Sequence, residues 1–155
     1  MAFFMMAALI ACGDTKDGDT ADGGGDAVDI ELVAEAEAAF AGYESWEQIA
    51  PYEGIQPGES VHGSFVQIWY NDIAAETINA AAGAPLPVGS TIVKESYTDE
   101  AGSDLINQTV MYKASDEYGW FWGTWDGGEN VISGQPSTCT DCHVAGQDYN
   151  LALTW

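Results

Sequence analysis

At 155 residues the chain can bury one ordinary core but not two, so a single folded module with extensions is expected. Its 25 Asp and Glu against 3 Lys and Arg give a formal net charge of -22, a field that repels phosphate backbones and excludes nucleic-acid binding. The acidity reads as a solvated surface that keeps an exported protein soluble, with a basic redox partner protein as the other reading. There is no Arg, and after Lys16 the only fixed cations are Lys94 and Lys113, so each needs a role. The cysteines are Cys12, Cys139 and Cys142, an odd set that no simple disulfide framework absorbs.

Residues 1–11 (MAFFMMAALIA) are apolar, too short to span a bilayer, and end in small residues before Cys12, the shape of an export signal. Leu9-Ile10-Ala11-Cys12 resembles a bacterial lipoprotein box, which makes Cys12 the candidate lipidation site and a lipid anchor the only membrane attachment. Residues 12–29 are Gly, Asp, Thr and Ala with hardly an apolar side chain, so burial cannot offset their ordering entropy and a flexible tether is expected. The folded module is expected over residues 30–155.

Glu31 to Gly42 (ELVAEAEAAFAG) predicts one amphipathic helix that Gly42 stops. Ser64 to Tyr70, Thr91 to Tyr97, Ile106 to Lys113 and Tyr118 to Trp125 are short, aromatic and β-branched, bounded by Gly, Pro, Asn and Asp, and predict four strands. Asp72 to Ala82 predicts a helix between the first two strands, capped by Asn71 or Asp72. The fold class is α+β: a mostly antiparallel sheet with an N-terminal helix and a C-terminal segment, Ser137 to Trp155, that carries the chemistry.

That segment contains Cys139-Thr140-Asp141-Cys142-His143. A Cys-x-x-Cys-His run is a c-type haem attachment signal: two thiols add across the haem vinyl groups and the adjacent histidine reaches the iron from one face. The cofactor expected is therefore one covalently attached haem c, with His143 as proximal iron ligand. Export agrees, since such attachment is made outside the cytoplasm, and it assigns the odd cysteine to lipid. A structural zinc site wants four ligands, and only His62 and carboxylates remain. A thioredoxin-like dithiol would precede a helix early in a βαβ unit, and a Cys139–Cys142 disulfide would close a strained ring.

A haem motif after a predicted sheet, together with Val66 to Asn71 (VQIWYN), Leu86 to Glu95 (LPVGSTIVKE), Trp120-Phe121-Trp122, and Asp148 beyond the motif, resembles the cytochrome P-460 and cytochrome c′-β family from about Trp46 onward. The resemblance implies a five-coordinate haem whose open distal face binds nitric oxide or a related small nitrogen ligand, with hydroxylamine oxidation in one branch. With the lipoprotein-like start it gives an exported mono-haem protein, periplasmic or at the surface of a Gram-negative bacterium, and homodimerisation is a family expectation. In the P-460 branch a lysine is bonded to the porphyrin edge, and Lys94 matches it; the other role for Lys94 is pairing with a haem propionate or with the neighbours of Glu95. Phe65, Trp69 and Trp122 are expected as haem walls, and otherwise as sheet core. The alternative function is a six-coordinate electron carrier using Met111 or His62 as sixth ligand; their other readings are a core methionine and a hydrogen-bonded or surface histidine. Glu95 and Asp126 lie near the right segments for acid–base work, in a chain with many carboxylates.

Overall fold

The computed structural model describes residues 27–50, 52–58, 62–80 and 84–151. The expected signal, Cys12 and all but the last residues of the expected tether lie outside them. Helix α1 spans Ala27–Phe40, so it begins inside the stretch read as tether. The run of helix-breaking glycines ends at Gly25, and nothing after it opposes helical backbone. Leu32 and Ala36, four residues apart, are buried on the side of α1 that meets the sheet, where Glu37 also accepts the Trp125 indole N–H at 3.0 Å, while Glu31 and Glu35 are exposed. Gly42, with φ of 76°, ends this segment in the left-handed conformation that an alanine would resist.

Among the described residues the strands form one six-stranded antiparallel sheet in sequence order: β1 (Gln56–Pro57), β2 (Phe65–Tyr70), β3 (Thr91–Tyr97), β4 (Leu105–Ser115), β5 (Gly119–Asp126) and β6 (Glu129–Gly134). The four strands expected from sequence are present, and the short β1 and the edge strand β6 are additional. Helix α2 (Asp72–Ala80) joins β2 to β3. Asn71 caps it, its Oδ1 accepting the Ala74 and Thr91 backbone N–H groups, each at 3.1 Å, and its amide donating to the Gly89 carbonyl at 2.8 Å. One side chain thus satisfies the helix N-terminus and pins the start of β3.

Side chains alternate between the two sheet faces, and both faces are covered. Trp69, Val93, Val110, Phe121 and Trp125 pack with Leu32 and Ala36 of α1. Tyr70, Ile92, Met111, Trp120 and Trp122 point the other way, against Ala74 and Ala75 of α2, Leu86, and Cys139. Cys139 belongs to α3 (Ser137–His143), which follows β6 and carries the cysteine motif onto this second face.

Candidate functional site

Between the second sheet face and α3 lies a cavity of about 440 Å³, within the size range of sites that take cofactors. Its floor is set by register. Ile92, Met111 and Trp122 stand opposite one another on β3, β4 and β5, and Lys94, Thr109 and Thr124 form the next row; all six line the cavity, with Val66, Ile68 and Tyr70 beside them and Cys139 and His143 across from them.

Helical spacing explains the far wall. Cys139 and Cys142 are three residues apart and Cys139 and His143 four, so on α3 the three side chains share one side. Cys139 carries a free thiol, and burial pushes it above the usual thiol range while the nearby Lys94 pulls it back. Cys142 is half-buried, and because Cys139 carries a free thiol the motif is not a closed Cys139–Cys142 pair.

The His143 Nδ1 lies 2.8 Å from the Tyr149 carbonyl oxygen. A carbonyl only accepts, so Nδ1 carries the hydrogen and Nε2 keeps the lone pair that a metal requires. Trp122 meets the same ring edge to face. Burial, with the charge of Lys94, holds the His143 pKa below its ordinary value, so the ring is neutral and available at neutral pH. His62 also lines the cavity, its ring centroid 6.0 Å from that of His143. Burial first, then the charges of Lys94 and His143, lower its pKa to about 3, which leaves a second neutral imidazole facing the first.

Lys94 reaches into this space without a carboxylate in ion-pair range among the described residues, where the ion pair formed is Lys113–Asp148. Desolvation pulls its pKa to about 7. Pairing of Lys94 with neighbours on the sheet is not what forms. Its strand neighbour Glu95 points to the opposite face, where Tyr43 and Tyr97 hydroxyls and Gln108 Nε2 donate to its carboxylate. Asp126 is exposed at the end of β5, so neither carboxylate reaches the cavity.

Of the three expected aromatic walls, Trp122 lines the cavity and the other two do not. Trp69 packs on Tyr43 with ring centroids 5.1 Å apart, and Phe65, four residues earlier on β2, shares its face by alternation. Tyr70 and Ile68, one position out of phase, take the places expected of them; strand parity held the signal, but nothing local said which parity faces the cavity. Met111 lies in the core of this face between Ile92 and Trp122.

An apolar floor, a lysine, a helix that aligns a cysteine pair with a histidine, and a ring nitrogen kept free of protons are together a donor set that fits haem. An antiparallel sheet bearing that set at its carboxyl end defines a β-sheet cytochrome. The chain belongs to the Cytochrome P460 family, whose model matches residues 40–152, and it is therefore a haem-binding protein. No curated protein matches it.

Proposed function

We propose that this protein carries one haem, joined by thioethers to Cys139 and Cys142 and held by His143 Nε2, and that it binds nitric oxide on the opposite side. The bound haem would supply an iron with one coordination position left open for a diatomic ligand. The observation that carries this reading is His143 itself, facing a largely apolar cavity with Nδ1 committed to the Tyr149 carbonyl. Met111 supports it as part of the wall, packed between Ile92 and Trp122. Thioether attachment belongs outside the cytoplasm, in keeping with export and anchoring through Cys12.

Lys94 sets which chemistry accompanies ligand binding. A lysine with pKa about 7 is substantially neutral at pH 7, the form able to bond to a porphyrin edge, and that bond would go with hydroxylamine oxidation as the family resemblance implies. A second reading, a six-coordinate electron carrier, draws on His62. His62 lines the same cavity with its ring centroid 6.0 Å from that of His143, so it would be the residue to hold the iron together with His143 and leave no position open for a gas.

The test is the visible spectrum of protein made in a host competent in cytochrome maturation. Haem retained by the denatured chain, and a reduced spectrum that changes on adding carbon monoxide or nitric oxide, are the expected results. A low-spin spectrum indifferent to both gases, becoming responsive in His62→Ala, would transfer the assignment to the electron carrier.

A further inference from the structure

His143 depends on a backbone carbonyl, and that carbonyl sits in an unusual turn. The segment from Gln147 to Asn150 closes through the Asn150 N–H on the Gln147 carbonyl at 2.9 Å. Its two central residues, Asp148 and Tyr149, have φ of 48° and 64°. Both occupy the left-handed region, where aspartate is tolerated and a side chain as large as tyrosine is disfavoured. Such a conformation persists only where its surroundings hold it.

Asp148 supplies the hold. Its Oδ2 accepts the Leu86 backbone N–H at 2.8 Å and the Lys113 ammonium at 2.9 Å, and its Oδ1 accepts the Trp120 indole N–H at 3.2 Å. The three donors come from the loop before β3, from β4 and from β5, so one carboxylate ties the turn to the rigid part of the sheet. The ion pair is mostly out of water, with Lys113 and Asp148 side chains 13% and 17% exposed, and the ammonium stands 5.5 Å from the Trp120 ring centre. Lys113 thereby finds its role as counter-charge to Asp148.

We propose that Asp148 is a positioning residue for the proximal histidine. By clamping the turn, it fixes the Tyr149 carbonyl against His143 Nδ1–H, and so sets how strongly His143 Nε2 donates to a bound iron. A hydrogen bond at the far ring nitrogen raises the basicity of a metal-bound imidazole, and a more basic axial ligand favours the oxidised metal and lowers the potential. The inference rests on His143 holding haem, as proposed above.

The experiment compares holoprotein of the wild type, Asp148→Asn, Trp120→Phe and Glu95→Gln, measuring haem retention on the denatured chain, midpoint potential, the ferrous iron–histidine stretching band and thermal stability. Asp148→Asn is expected to keep its thioethers, raise the potential and move the stretching band to lower frequency. Trp120→Phe, which removes a single donor to Asp148 and serves if Asp148→Asn does not fold, is expected to shift both in the same direction by less. Glu95→Gln, on the opposite sheet face, is expected to lower stability without moving either, which separates positioning from general loosening. Potential and band unchanged in Asp148→Asn and Trp120→Phe would overturn the proposal with the haem reading intact. Wild-type protein that binds no haem would overturn both.

Discussion

Trp122 and His143 meet edge to face, ring centroids 4.6 Å apart with planes at 72°, so strand β5 buttresses the imidazole that α3 presents. Trp122 is also in the core of its sheet face, 5% exposed. Trp122→Ala is expected to cost about 3–5 kcal/mol, as for large aromatic truncations in cores. Trp122→Phe, which keeps an aromatic contact, should cost no more than about 1.5 kcal/mol. Urea titrations of both variants measure this, and equal losses would show that the ring contact contributes little.

Lys94 makes the stability of the haem-free chain depend on pH near neutrality. Its pKa is about 7 in the folded chain against an ordinary value of 10.5, so between these values the unfolded chain binds more protons and stability rises with pH. Below the lower value the lysine is charged in both states and the full cost of burying the charge is felt. Thermal melts from pH 6 to pH 10 should show wild type gaining on Lys94→Met as the pH rises; parallel curves would refute the linkage.

A separate expectation for Lys94 concerns the loaded protein. Bonding to the porphyrin perturbs the conjugated ring, so wild type is expected to have a Soret band at longer wavelength than Lys94→Ala. Coincident bands would leave Lys94 to partner a propionate, where a charge-assisted hydrogen bond is its alternative use.

Glu95 carries a prediction that spares the haem. It is 8% exposed and receives the Tyr43 and Tyr97 hydroxyls on the α1 side of the sheet. Glu95→Leu leaves those buried donors without an acceptor and should destabilise by about 1–3 kcal/mol, while the absorption spectrum stays that of wild type. Burial and then the Glu95 hydrogen bond raise both phenol pKa values, so the unfolded chain releases these protons first and stability should fall as pH climbs past the ordinary tyrosine value of 10.0. A flat alkaline limb in the melts would contradict this.

The cysteines predict how many covalent bonds hold the haem. Cys139→Ala and Cys142→Ala should each retain one thioether, and the double variant none, read by haem stain on denaturing gels and by intact mass. Full retention of haem by the double variant would refute thioether attachment.

Much of the architecture could be read from residue order because it depends on short-range chemistry. The four long strands are runs of β-branched and aromatic residues between turn formers, and each sits within a few residues of its expected bounds. Gly42 and Asn71 act through their own backbone and side chain, so helix stop and helix cap were legible at those positions. The motif from Cys139 to His143 was legible as well, since its spacing is what aligns it on one helical turn. Strand β6 escaped notice because it is an exposed edge, with Val131 56% exposed and Ile132 41%, and therefore lacks apolar alternation.

Sequence alone determined the haem-type motif, the antiparallel sheet and the family likeness. Only the tertiary structure decided which sheet face meets that motif. From β2 to β5 both faces of the sheet carry buried apolar residues, covered by α1 on one side and by α2 and α3 on the other, so apolar residues occupy both parities and the pattern cannot tell the face of Trp69 from that of Trp122. The Lys113–Asp148 pair spans 35 residues of sequence, and the contact from Asp148 to Leu86 spans 62. Such pairings exist only once the sheet has closed, because a carboxylate and its donors gain from one another through distance in space and have no way to register it along the chain.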